Sequence, residues 1–243
     1  MINIASKHFD AIFEKIAKYK TYVVLVLAAV IVLVGGTLFY SYHTNSIEQK
    51  AQMAFVGCLK YFDAKIKTAD LKPEKLSLED IEIFSTPKEK WQAVVDVFKK
   101  GYEENKSSNL APFFLALEAE GLVQLGKLDE AINLLSQAVG DIDSNDIADV
   151  YKIKLALMQL DTSSKTENAV GLESLGKIAE KSDSVANDSA LYRLGEYYWI
   201  NKDFDKAKNY WNQLVHKYGQ KSKKPSPWAE FAAEKLKLIE QKV

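Results

Sequence analysis

The chain has 243 residues, with 32 basic and 33 acidic side chains and a formal net charge of -1. Proteins that bind nucleic acid normally carry a clear basic excess, so this balance argues against that class. Apolar residues make up 47% of the chain and charged residues 27%, which is typical of a folded protein. Eleven glycines and five prolines are few for this length. Because both residues break helices, their scarcity predicts an all-α fold.

Residue types that carry catalysis and metal binding are scarce. Cys58 is the only cysteine, which excludes an intramolecular disulfide and a thiolate metal cluster. Three histidines give little material for histidine catalysis. The sequence has neither a phosphate-binding glycine loop nor a nucleophile motif. We therefore predict no catalytic, cofactor-binding or metal-binding residues, and no small-molecule substrate.

Residues 21–42 contain an uninterrupted apolar run, YVVLVLAAVIVLVGGTLFY, from Tyr22 to Tyr40. The run holds no charge and no proline. At a rise of about 1.5 Å per residue it covers roughly the 30 Å hydrocarbon core of a bilayer. Aromatic rings lie at both of its ends, where the headgroup level favours them. We predict a transmembrane helix over residues 21–42.

Lysines decide how this helix is oriented. Lys15, Lys18 and Lys20 crowd its amino-terminal side, whereas the segment SYHTNS after it has no lysine or arginine. The positive-inside rule then places residues 1–20 in the cytoplasm and the rest of the chain outside. Apolar residues at helical spacing in this arm predict an amphipathic helix on the inner membrane surface. Cleavage as a signal peptide is the alternative, although the run is long for one and no A-x-A-like site follows.

Small residues collect along one face of the predicted span. Ala28 and Gly35 are seven positions apart, as are Ala29 and Gly36. Helices in lipid associate by close packing, which small residues permit, so these four predict a packing face toward a membrane partner. The alternative is that they only reflect how common glycine and alanine are in membrane spans.

We predict that residues 46–106 form a helical linker region that packs onto the domain after it. Apolar side chains in its first third recur at spacings of three and four, which draws one helical stripe. Thr86 then supplies an N-cap and Pro87 a first helical residue for another helix with an apolar face.

Residues 110–243 are dominated by helix pairs of repeating length, one over residues 111–139 and another over residues 188–219. A third, degenerate pair fits between them. When the first and last pairs are aligned without a gap, small residues coincide in each helix: Ala119 with Gly195, and Ala131 with Ala207.

The degenerate pair covers residues 147–181. It has Ala156 in its first helix and, after one inserted residue, Ala169 in its second. Beyond the last pair, Ser226 and Pro227 begin a final helix whose apolar residues are expected to cover the open end of the stack.

This pattern resembles the tetratricopeptide repeat. Small residues let the two helices of a pair approach closely, and Tyr198, Phe204 and Trp211 are expected to fill the space between pairs. The resemblance implies a helical-repeat solenoid with a C-terminal capping helix, in which the first helix of each pair lines a concave groove. Carrying the pattern over gives six groove residues: Phe113, Ala116, Glu120, Tyr192, Glu196 and Trp199.

The chemistry of these six positions predicts what the groove binds. They include aromatic rings and two carboxylates, and none of them is a lysine or arginine. This set suits an apolar segment of an unfolded chain or a partner's helix, and does not suit an acidic peptide. The alternative is that Tyr192 and Trp199 are buried against the terminal helix and serve stability only.

A short arm, one span and an external repeat domain with a terminal helix together resemble the ancillary subunit of the bacterial SecYEG translocon (the YfgM-like family). The resemblance implies a single-pass protein of the inner (cytoplasmic) membrane with its repeat domain in the periplasm. Its implied partners are the translocon and a membrane-anchored periplasmic chaperone of the prolyl-isomerase type. The implied function is non-catalytic, namely passing newly exported proteins to chaperones. A scaffold subunit of another envelope machine, for cell division, secretion or pilus assembly, is the alternative.

Overall fold

A computed structural model describes residues 20–67 and 83–240, without the side chains of residues 20–36, 38, 39 and 240. Contacts divide the chain into two compact units, Met1–Lys50 and Ala51–Val243. In chain order the described elements are α1 (Lys20–Phe62), β1 (Lys65–Ile66), β2 (Ile83–Phe84), α2 (Pro87–Glu104), α3 (Ala111–Gln124), α4 (Leu128–Asp141), α5 (Asn145–Leu160), α6 (Lys165–Glu180), α7 (Asn187–Ile200), α8 (Phe204–Tyr218) and α9 (Pro227–Glu240).

The predictions for the amino-terminal end fall largely outside the described residues. Of the cytoplasmic arm, residues 1–20, only the backbone of Lys20 is described. Within the predicted span, residues 21–42, the structure describes side chains only at Thr37 and from Tyr40 onward. A search of the described residues found no helix both long enough and apolar enough to cross a membrane.

Two short strands depart from the all-α prediction. β1 and β2 pair in parallel, with Lys65 opposite Ile83 and Ile66 opposite Phe84. Each strand has only two residues, which is too few for the alternation that marks a strand in a sequence. Apart from this pair, the regular elements of the described residues are helices.

The carboxyl-terminal part of α1 packs with α2 against α3. The side chain of Thr86 accepts a hydrogen bond from the first turn of α2, and Pro87 begins the helix, as predicted. Phe55 of α1 lies edge-on to Phe114 of α3, with ring centroids 5.0 Å apart. A Cβ atom at Gly101 would overlap the ring of Phe114, so this glycine permits the close approach of α2 and α3.

Three helix pairs, α3/α4, α5/α6 and α7/α8, follow α2, and each helix packs on the next. The small residues of the predicted repeat are buried where helices meet: Ala119, Ala131 and Ala207 have no exposed surface. A Cβ atom at Gly195 would overlap the indole of Trp211, which is itself fully buried. The predicted register of the first and last pairs is therefore confirmed.

The middle pair, α5/α6, differs from its predicted register. Ala156 is fully buried, but Ala169 is exposed. A Cβ atom at Gly171 would lie 2.7 Å from the carbonyl oxygen of Ala156, so Gly171 is the residue that lets these helices approach. It lies about one turn further into its helix than Ala131 and Ala207 lie in theirs. The predicted register allowed for one inserted residue and therefore fell on Ala169 and not on Gly171.

Helix α9 covers the last pair. Ala229, Ala232 and Ile239 belong to the same buried cluster as Trp211. Phe231 is half-exposed, and its ring centroid lies 6.3 Å from that of Tyr192. The terminal helix thus covers the last pair, with Phe231 at the edge of the contact.

Candidate functional site

The first helices of the three pairs line a cavity of about 610 Å³. Its walls include Val123 of α3, Leu157 of α5 and Ile200 of α7, all in the carboxyl-terminal halves of their helices. Ile200 is 75% exposed, so apolar surface at the edge of the cavity is open to solvent. Such a concave, partly apolar surface is typical of a binding site.

A second cavity, of about 420 Å³, adjoins the first along α5. Leu157 and Arg193 line both cavities. Val150 and Ile153 of α5 form one wall of the second cavity, and α9 contributes Trp228. We call the combined lining of the two cavities the groove.

Charged side chains in and beside the groove are paired with each other. Lys154 of α5 forms an ion pair with Glu120 of α3. On α7, Nη1 of Arg193 lies 2.6 Å from Oε2 of Glu196. The guanidinium carbon of the same arginine also lies 4.9 Å from the ring centroid of Trp228, a favourable cation–π arrangement. These pairs leave the middle of the groove close to neutral.

Two of the six predicted groove residues are buried. Ala116 is 1% exposed within the core of the first pair, and Tyr192 is 6% exposed. The ring centroid of Tyr192 lies 5.0 Å from that of Trp228 in α9, and burial raises the pKa of the Tyr192 phenol. The prediction that these two side chains are open to a partner is therefore wrong, because Ala116 is enclosed by its own pair and α9 covers Tyr192.

The other four predicted residues lie in different surroundings. Phe113 lines a separate cavity of about 560 Å³ near the loop after α4, and its ring centroid lies 5.8 Å from that of Tyr151. Trp199 is half-buried beside the core of the last pair. Glu120 and Glu196 form the ion pairs given above. The structure does not bring the six together on one open surface, and their binding of a partner stays a prediction.

The middle pair supplies groove residues that the sequence analysis missed. The predicted groove positions of the first pair can be transferred to the middle pair by adding the interval between Ala119 and Ala156. The positions obtained are Val150, Ile153 and Leu157. All three line the groove. The signal was therefore present in the sequence, but the predicted groove left out the degenerate pair.

Two basic side chains of the groove were also missed. Lys154 and Arg193 line it from positions next to Ile153 and Tyr192. A long basic side chain can extend along the helix surface into a groove that its own backbone position does not face. A prediction from the groove-facing positions alone therefore misses it. Lys154 and Arg193 add two basic groups to a groove whose six predicted residues include none.

Two remaining predictions concern the membrane face and metal binding. The packing face, Ala28, Ala29, Gly35 and Gly36, falls on side chains outside the described ones. In the described part of the chain, no group of three histidine, cysteine, aspartate or glutamate side chains is placed to hold a metal ion.

Comparison with known families identifies the fold. A family model described as a tetratricopeptide repeat-like domain matches residues 16–237. A comparison with curated proteins found none that matches the chain. Domains of this kind are typically non-catalytic modules that bind other proteins. Because the match covers most of the sequence and agrees with the stacked helix pairs, the chain belongs to the tetratricopeptide repeat-like domain family.

Proposed function

We propose that the chain is a membrane-anchored, non-catalytic module that binds polypeptide segments in the groove. The groove itself supports this most directly, because apolar side chains line both cavities and its central charges are paired. A ligand that enters it buries apolar surface and meets little net charge in the middle. An apolar stretch of an unfolded chain, or the apolar face of a partner's helix, has this chemistry.

The membrane anchor of this proposal is residues 21–42. Its support is the charge-free run in the sequence, together with the lysines before it. Helix α1 includes the run, and a helix is the conformation in which one segment satisfies its own backbone in lipid. In a bacterial inner membrane this arrangement puts the amino terminus in the cytoplasm and the repeat domain in the periplasm.

For the partners, we propose a SecYEG-type translocon and a membrane-anchored chaperone of the prolyl-isomerase type. The support is the layout that the chain shares with the ancillary translocon subunits. In this role the groove holds a newly exported segment until the chaperone takes it over. A scaffold subunit for cell division, secretion or pilus assembly has the same layout and is the alternative.

Photo-cross-linking tests groove binding during export. A photoreactive residue at position 200 should cross-link to a defined secretory protein that is exported in the same cells. The matched control is position 170 on α6, since Val170 is 46% exposed but lies outside both cavities. Equal cross-linking from the two positions, or none from position 200, contradicts the groove as the binding site.

Co-purification from detergent-solubilised membranes tests the partners. We expect translocon subunits and a prolyl-isomerase chaperone. Recovery of division, secretion or pilus components in their place would support the scaffold alternative. A phosphatase fused after Val243 should be active in the envelope, and inactivity there would contradict the proposed orientation.

A further inference from the structure

We propose that the groove selects an apolar segment that carries a lysine or arginine at one end, with the basic group beside Asp161. This inference rests on the proposed role of the groove as a polypeptide site and adds the charge pattern of its ligand. Two properties of the groove favour such a ligand, namely its length and the charge difference between its two ends.

The groove follows α5 from Val150 in the second cavity to Asp161 in the first. At about 1.5 Å per residue, this stretch of helix spans roughly 16 Å. An extended polypeptide covers that distance with about five residues at roughly 3.3 Å each. The groove therefore fits a short segment of a chain.

The Asp161 end of the groove is negative. Asp161 directly follows α5 and is exposed, and among the described residues no ion pair involves it. Helices α5 and α7 end here, at Leu160 and Ile200, and helices α4 and α6 begin here, with Leu128 and Asn168 in the lining of the first cavity. The partial negative charges of the two carboxyl ends and the partial positive charges of the two amino ends offset each other. The carboxylate of Asp161 is therefore the charge that favours a cationic group at this end.

The rest of the groove is balanced. The two ion pairs described above neutralise its middle. Near the opposite end, Asp188 accepts a hydrogen bond from the hydroxyl of Ser226. Asp188 also lies in the first turn of α7, where the partial positive charge of the helix offsets its carboxylate. A basic group on the ligand is therefore favoured at the Asp161 end over the other.

Three fluorescent peptides test this charge pattern against the full chain in detergent at low ionic strength. They share an apolar core of about five residues and end in a pair of lysines, glutamines or glutamates. We expect the lysine peptide to bind about fivefold more tightly than the glutamate peptide, with the glutamine peptide between them. Asp161→Lys should reverse this order. The matched change Asp183→Lys, at an exposed loop residue outside both cavities, should leave the order as in wild type.

The outcomes separate this inference from the proposed function. Equal affinities for the three peptides, or an order that Asp161→Lys does not change, overturn the charge inference. The groove remains the binding site in that case, provided that Ile200→Gln weakens binding and Val170→Gln does not. If no peptide binds, or if Ile200→Gln has no effect on any of them, the proposed function fails as well.

Discussion

Trp211 joins α8 to α7 by both packing and a hydrogen bond. Its indole occupies the space left by the missing side chain of Gly195, and its Nε1–H donates to the carbonyl oxygen of Tyr192 at 3.2 Å. The side chain also lies in the cluster that α9 covers. The last pair and its capping helix therefore share one central residue.

We expect Trp211→Ala to lower the free energy of unfolding by about 3–5 kcal/mol, because it removes a fully buried aromatic side chain. Urea denaturation of the variant and wild type measures the difference. The control is Lys223→Ala in the exposed loop before α9, for which we expect a change below about 0.5 kcal/mol. Equally small effects from both changes would show that the repeat register is wrong.

Glu118 shows how burial acts on a charged group. It is 6% exposed on α3. Burial is the main reason that the pKa of its carboxyl is raised to about 7; Lys99 opposes this shift, while Glu103 and Asp96 add to it. The carboxyl of the unfolded chain has a pKa near 4.5. Between these two values the folded protein holds a proton that the unfolded chain has lost.

The contribution of Glu118 to the free energy of unfolding should therefore fall as pH rises through the window from about 4.5 to 7, because the carboxyl of the unfolded chain binds fewer protons there. We expect the wild type to lose about 2 kcal/mol relative to Glu118→Gln between pH 4.5 and pH 8. Urea denaturation of both proteins at the two pH values measures this. A stability difference that stays constant with pH contradicts the prediction.

At the scale of elements, helix α6 offers two glycines for a matched comparison. A Cβ atom at Gly171 would lie 2.7 Å from the carbonyl oxygen of Ala156, whereas one at Gly176 would meet no atom within 4 Å. We expect Gly171→Ala to destabilise the protein because α6 must move away from α5. Gly176→Ala should stabilise it by about 0.5–1 kcal/mol through helix propensity. Thermal unfolding of both variants measures the effects, and changes of the same sign would contradict the observed α5/α6 packing.

The first and last pairs were predictable because close helix packing requires small residues, and these recur at the same spacing in both. Gly171 was missed because an extra turn of α6 precedes it, and no neighbouring repeat has that insertion. The β1/β2 pair is held by backbone hydrogen bonds between two-residue strands, which leave no side-chain pattern. The sequence therefore predicts how helices pack where the repeat is regular, but it does not predict their packing where residues are inserted.

The candidate site was less predictable than the fold. The register placed Tyr192 on the first helix of its pair, but burial under α9 is a tertiary contact that no spacing encodes. Arg193 is the only arginine of the chain, and its reach into both cavities depends on the path of a long side chain. Face positions can be counted in a sequence, whereas coverage by another helix and side-chain reach cannot.

At the scale of the molecule, charge is distributed unevenly along the chain. Residues 83–200, which contain nearly all of the groove, hold 12 basic and 19 acidic side chains, whereas residues 201–240 hold 9 and 5. The acidic region adds a long-range attraction for basic ligands, which salt screens. We expect the lysine peptide to bind several-fold more weakly at about 0.15 M salt than at 0.01 M. Titration at both salt concentrations measures this, and an equal loss for the glutamate peptide contradicts an electrostatic origin.

The proposed membrane anchor has a face of small residues. Ala28, Ala29, Gly35 and Gly36 fall on one side of a helix with 3.6 residues per turn. If this side packs against a partner's span, larger side chains there separate the two helices, because association in lipid depends on close packing. Gly35→Leu with Gly36→Leu should therefore reduce co-purification of the membrane partners, while the chain still inserts into the membrane.

The matched control places the same added bulk on the other side of the span. Positions 30 and 34 lie opposite the small residues on a helical wheel, so Val30→Phe with Val34→Phe should leave co-purification unchanged. Membrane fractionation and the activity of the phosphatase fused after Val243 verify insertion of both variants. Full recovery of every partner with the glycine variant would assign the span to anchoring alone, because packing through the small face would then contribute nothing to the assembly.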